Sequence, residues 1–454
     1  MPDTVAWGNR PLRILNVGLG WASTTGGHTV TRELAIGQAR AGHQAYVWLP
    51  HELETPDIPN LRLLHPTNPA QWPDPTQSKD QQLATEQDML RTGAGLPENV
   101  DLVIGHARFT GDIALDLRDR YYPNAMAAYV MHMSPEEGSR ARHGGGTHAD
   151  RKAREDVERM RRADLVVGVG PLIAEESERL LQRERLQVPV HELIPGVVRL
   201  DPPLNRSFQR RYDILLTGRM DDALKGGPQA VSMINELRGR GVPGYLSVRG
   251  VPPEKLDAEQ TKFNELSGNA VRLREFTNDP DALRRDYNGA DLFIMPSHHE
   301  GFGLVATEAA GSGVPILVDE MNTGVGMFLA DPQRVPPELG RGSVVRASSH
   351  DTTAWADRIQ TVLENLPAER DRALGLQKHL TSKYSWQNAA EGLVNSARLV
   401  HDGPPYANLD PELQAAVRLG LPAPGPVGKV ATTFDPPVPP VSNTRRGPDT
   451  GLSK

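Results

Sequence analysis

The 454-residue chain contains no cysteine, and only 5% of it is aromatic. The first absence excludes disulfides, thiolate nucleophiles and cysteine-ligated zinc. It agrees with a reducing compartment, and the cytoplasm is the expected location. No apolar run is long enough to cross a bilayer. Met1 to Arg10 lack a basic stretch followed by an apolar one, so no secretory leader is expected. A basic surplus is missing too. The net charge of −7 gives no global field for nucleic acid or an anionic membrane. No basic amphipathic helix argues for membrane association. Neither a G-x-S-x-G elbow nor a Walker lysine loop is found.

What is present describes a globular α/β protein. Hydrophobic residues make up 38% and charged residues 24%. The length exceeds one ordinary core and implies two domains. Strand signals at Leu12–Gly18, Gln44–Leu49, Asp101–Gly105, Met126–Met131 and Ala163–Val169 alternate with helical stretches. Such alternation predicts parallel sheets with helices on both faces. Gly26 and Gly27 read as a loop before a helix from about Thr29 to Ala41. A last strand leaves the first domain near Ile194-Pro195-Gly196. The pattern restarts at Tyr212–Gly218 and recurs at Gly244–Val248, Ala290–Met295 and Val314–Val318. The expected division is 1–200, 201–383, a helix over 384–402, and a proline-rich, mostly disordered tail over 403–454.

The densest signal follows the strand at Ala290–Met295. There the chain reads Pro296-Ser297-His298-His299-Glu300-Gly301-Phe302-Gly303-Leu304 and runs on to Glu308. Glycines in a strand-to-helix turn let the backbone approach a ligand. The helix start offers free N–H groups and a positive dipole end, which suits a diphosphate. His298-His299-Glu300 is not the start of a His-Glu-x-x-His zinc helix, so no metal site is expected.

Glu300 to Glu308, in the setting HEGFGLVATEAAGSGVPILV, resembles the E-x7-E signature of retaining GT-B glycosyltransferases of family four. The resemblance extends from about Leu12 to Val400. It implies two Rossmann-like domains facing a cleft, with a late helix crossing back onto the first. It also implies transfer of a sugar, a hexose by expectation, from a nucleotide-diphosphate sugar to an unidentified acceptor. No cofactor or metal is required in that scheme.

The resemblance places the family's cation pair on Arg219 and Lys225 and its active-site histidine on His132. It gives Glu300 the transferred sugar and Glu308 the ribose hydroxyls. Gly301, Phe302, Gly303 and Leu304 would hold the diphosphate, and Gly26 and Gly27 would approach the donor or the acceptor. The physical reading agrees: two fixed cations stabilise charge on a departing diphosphate. His132 follows a predicted strand, at the end of the sheet that faces ligands. His106 is a secondary cleft candidate, and Arg274-Glu275-Phe276 falls where the family reads the base. The chain departs from the pattern at Ile194-Pro195-Gly196, which lacks the usual asparagine. One alternative is a non-catalytic protein that binds a nucleotide sugar or supports a partner enzyme. A weaker one is a nicotinamide enzyme, from Gly18-Leu19-Gly20. Donor sugar, base, acceptor and oligomeric state are not readable.

Overall fold

The computed structural model describes residues 6–22, 25–67, 73–74, 76–136, 138, 146–200, 211–219 and 222–422. Within them lie two parallel sheets. The first has seven strands: β1 (Arg13–Val17), β2 (Gln44–Trp48), β3 (Leu61–Leu64), β4 (Leu102–His106), β5 (Met126–Met131), β6 (Leu165–Val169) and β7 (Val190–Leu193). They lie in the order β3-β2-β1-β4-β5-β6-β7. The second has six: β8 (Tyr212–Thr217), β9 (Gly244–Val251), β10 (Val271–Glu275), β11 (Leu292–Met295), β12 (Ile316–Asp319) and β13 (Val344–Val345). Their order is β10-β9-β8-β11-β12-β13.

Both orders reverse direction beside the first strand of their sheet, between β1 and β4 and between β8 and β11. Such a reversal opens a crevice at the carboxyl ends of the strands. The strands read as near-continuous apolar runs because helices cover both faces. β4, β5 and β6 are buried along their whole length. The largest apolar cluster does not stop at the domain boundary. It joins Ile14, Ile104 and Val130 of the first sheet to Leu215 and Phe293 of the second, and to Phe302 beyond it.

The crossing between the domains is double. The outgoing chain passes Gly196, where an added Cβ would overlap the backbone N of Trp386. Beside it, Val197 N–H donates to the Tyr384 carbonyl at 2.9 Å. The returning helix, Trp386–Asp402, is capped by Ser385, whose side chain accepts from Asn388 N–H. It packs on the first helix, Gly26–Arg40, through Gly37 and Ala390.

Two expectations change here. The glycine pair is not a loop: Gly26 and Gly27 form the first turn of the Gly26–Arg40 helix. Thr25 caps that turn by accepting from His28 N–H at 3.2 Å, so the helix starts three residues early. The stretch from 403 is not a tail at its start. A further helix, Pro411–Leu419, lies within it and contacts β7 and the Trp386–Asp402 helix. Asp410 caps it, Gly420 ends it in a left-handed conformation, and Ala416 and Val417 bury its inner face. The proline-rich stretch Thr433–Pro440 lies outside the described residues, as do Met220, Asp221 and His143–Gly145.

Candidate active site

The carboxyl ends of both sheets meet around Gly301. An added Cβ there would overlap the carbonyl oxygen of His132, so only glycine permits this approach between domains. Gly303 takes φ 101° and stands as N-cap of the helix Leu304–Gly311. Leu304 faces Gly26 across the cleft. The structure thus brings together Gly26, His132, Gly301, Gly303 and Leu304 from both sequence halves.

Glu300 is held at both its backbone and its side chain. Its N–H donates to the Asn322 carbonyl at 2.9 Å, and its own carbonyl accepts from Gly324 N–H at 3.1 Å. The loop behind it is organised by Asp319, which accepts from the N–H groups of Met321 and Asn322 at 2.9 and 2.8 Å. The carboxylate of Glu300 is ion-paired with Lys225, and both side chains are mostly shielded from water. Lys225 arrives on a short turn capped by Asp222, which accepts from Leu224 N–H at 3.2 Å. Its aliphatic stem lies over Gly218. Arg219 follows on the same strand exit, with its side chain 61% exposed and Asp222 3.7 Å away. That exposure leaves its guanidinium open to solvent.

Glu308 is half-buried on the next helical turns. The Tyr287 hydroxyl donates to its Oε2 at 3.0 Å. Burial raises the Glu308 pKa, while Tyr287 and the charge of Arg32 from the first domain oppose that rise. Tyr287 sits on the helix Pro280–Gly289, which is pinned by its neighbour Asp286. That carboxylate pairs with Arg249 at 2.5 Å and also with Arg274. Arg274 is therefore committed to an ion pair beside the edge strands. Tyr287, Asp286 and Asp319 were not legible as site residues. Only the Asp-Tyr pair on a short helix before a buried strand could have drawn notice.

Phe302 falls outside the cleft. Its ring is 3% exposed and packs edge-on to Phe328 and against Gly170, so it serves the core. The turn directs that side chain inward, so the contact expected of Phe302 is one of its backbone at the helix start. Its carbonyl accepts from Val325 N–H at 2.8 Å. His298 also turns aside: its Nδ1 lies 2.7 Å from Ser349 Oγ and its ring stacks on His350. Among the described residues, no three His, Asp or Glu side chains gather as a metal set.

The first domain answers with neutral groups. His132 lies beyond β5, and burial brings its pKa down to about 4. Its Nε2 is 3.0 Å from Nδ1 of His106. Burial also lowers the pKa of His106 well below 6.5, with further lowering from His132 and His28. Both rings are neutral at pH 7.

A family model described as "Family 4 Glycosyltransferase in conflict systems" matches residues 15–393. The D-inositol 3-phosphate glycosyltransferase of Nocardia farcinica is 35% identical over 117 residues, 26% of this chain and 24% of that protein. Sucrose-phosphate synthase from Thermosynechococcus elongatus has a similar structure, with TM-score 0.67 at 17% identity over 86% of this chain and 99% of that one. The catalytic domain of starch synthase IV from Arabidopsis thaliana, bound to ADP and acarbose, gives 0.61 at 16% identity, covering 87% and 99%. The chain spans between a quarter and about half of the length of the curated relatives it matches. The structural likenesses carry the GT-B fold.

Proposed function

The chain belongs to the family 4 glycosyltransferases of conflict systems, and we propose that it transfers a sugar from a nucleotide-diphosphate donor with retention of configuration. One observation carries this reading. The Lys225–Glu300 ion pair sits directly beside the backbone contact of Gly301 with His132, so donor-side charge and the opposite wall share one cleft.

The donor lies mainly on the second domain. Arg219, Lys225 and the N–H groups opening the Leu304–Gly311 helix hold its diphosphate. Glu308, set by Tyr287, accepts from the ribose hydroxyls. Glu300 takes the transferred sugar and orients its anomeric carbon. During transfer the bond from that carbon to the diphosphate oxygen breaks. A bond to the acceptor hydroxyl oxygen forms on the same face. The acceptor proton passes to the departing diphosphate, whose growing charge the two cations stabilise. That arrangement supplies what a metal ion supplies elsewhere, so no cofactor is assigned. Closure over the cleft keeps water from the donor.

The similarly folded starch synthase, bound to ADP and acarbose, supports a site that takes a nucleotide and a sugar. We assign the reaction to the cytoplasm on the cysteine-free sequence. The membrane side offers no support: among the described residues, no helix is long and apolar enough to cross a membrane.

The test is a pooled screen of nucleotide sugars and acceptors with products read by mass spectrometry. Wild-type protein should give a product heavier by one sugar, whose linkage by NMR keeps the donor's anomeric configuration, and Arg219→Ala should give far less. Absence of any binding or turnover, with the variant indistinguishable from wild type, would overturn the assignment.

A further inference from the structure

We propose that His106 is a positioning residue that fixes the orientation and tautomer of the His132 imidazole. The proposal rests on the transferase reading only for its kinetic consequence. The geometry stands by itself.

β4 runs straight into the helix Ala107–Tyr121 with no connecting loop. To make that turn Ala107 adopts φ 46°, a left-handed conformation that crowds its Cβ against the following carbonyl. Such strain in a residue other than glycine persists only where its surroundings enforce it, and it concentrates at working sites. Here the enforcement is visible. His106 N–H donates to Thr110 Oγ1 at 2.9 Å, and Thr110 Oγ1 donates to the Val17 carbonyl at 2.8 Å. Gly105 lets the helix sit on the strand, since a Cβ there would run into Ala114 and the Thr110 carbonyl.

The product of this turn is one contact. The His106 ring is 5% exposed, and its Nδ1 lies 3.0 Å from His132 Nε2, with the rings tilted by 31°. Two neutral imidazoles at that distance share one proton. His106 Nε2 is buried without a hydrogen-bond partner. If it carried the proton, a buried N–H would go unmet, which proteins avoid more strictly than a bare acceptor nitrogen. The proton therefore belongs on His106 Nδ1, which donates to His132 Nε2. His132 must then carry its own proton on Nδ1, and that N–H is its donor group for a substrate. The backbone end of His132 is fixed as well, by Gly301 against its carbonyl. Ring and backbone are thus held from two domains.

Histidine-selective nitrogen-15 NMR tests this directly, with His132 assigned by the resonance lost in His132→Gln. Wild-type protein should show His132 protonated on Nδ1. In His106→Ala the signal should move to the Nε2 tautomer or to a mixture. His106→Asn, whose amide can still donate to Nε2, should restore the wild-type pattern. With the donor found by screening, His106→Ala should lower kcat about 10- to 100-fold while donor KM changes less, and His106→Asn should recover most of it. An Nε2-protonated His132 in wild type overturns the proposal even if neither His106 variant folds. So does a tautomer that His106→Ala leaves unchanged. A locked tautomer in a protein that turns over no nucleotide sugar would sink the transferase reading and leave the positioning role intact.

Discussion

The two sheets share a strand order but present different chemistry to the cleft. From the second come charges: Lys225 paired to Glu300, exposed Arg219, and Glu308 under the Tyr287 hydroxyl. From the first come neutral rings and close backbone: His132 and His106, with Gly26 opposite Leu304. The two cations assigned to the proposed diphosphate leaving group, Arg219 and Lys225, both come from the second domain. The opposite wall needs hydrogen-bonding direction without a competing charge, which buried histidines supply at pH 7. The division teaches that one fold, used twice, was specialised by what its strand ends carry.

The comparison can be broken most sharply on the charged side. Glu300→Gln should reduce kcat by about 1000-fold, because the carboxylate both orients the sugar and holds Lys225. Donor binding by calorimetry should weaken much less. Activity within tenfold of wild type would mean the ion pair is merely structural. Next in size, Glu308→Ala should raise donor KM by about 10- to 100-fold, the usual worth of a hydrogen bond to a charged acceptor. Tyr287→Phe should move KM in the same direction by less, with kcat retained. A Tyr287→Phe enzyme that loses kcat while KM is unchanged would contradict the assigned role of Glu308.

The smallest effect sharpens the neutral side. Burial lowers the pKa of His132 and of His191 from 6.5 to about 4, and it lowers that of His106 as well. These groups are neutral when folded but take protons when unfolded below pH 6.5. The unfolded state then binds more protons, so stability is complete above pH 6.5 and declines as pH falls toward 4. His191 alone, only 2% exposed, accounts for up to about 3 kcal/mol across that window. The melting temperature should drop by several degrees between pH 7.5 and pH 5, and His191→Gln should flatten the slope. Hydrogen exchange at pH 5 should show the first domain loosening before the second. The reverse order would remove acid sensitivity from the contrast.

The same contrast explains what could be read from sequence. The expected donor side falls in two short stretches, Gly218 to Gly226 and Glu300 to Glu308, so a family resemblance carried by local motifs could propose it. The first-domain wall is assembled from the ends of separate strands, and nothing local links His106 to His132. Tyr287 was hidden for a like reason: it acts across a helix on a carboxylate 21 positions later. Short strands without β-branched richness were missed, as at Leu61–Leu64, where Leu61 and Leu63 are buried while Arg62 is exposed. The Pro411–Leu419 helix carried its own signals, with Asp410 and Pro411 at its start and Gly420 at its end. Proline-rich surroundings outweighed them.

The double crossing at Gly196 and Trp386 has a consequence for biosynthesis. The first domain is closed by residues far along the chain: Arg398 donates to the Arg10 carbonyl at 2.7 Å, and Ser396 Oγ lies 2.9 Å from His191 Nδ1. Arg418 pairs with Glu192 at 3.1 Å, and Glu192 also pairs with Arg334. A ribosome finishes the last strand of this domain, ending at Leu193, about 200 residues before it supplies these closing parts, which begin at Trp386. The nascent first sheet must therefore wait, with the groove later filled by Trp386, Ala390 and Leu393 still open to water. The second domain can fold meanwhile as one continuous stretch. The segment made last thus completes the domain begun first.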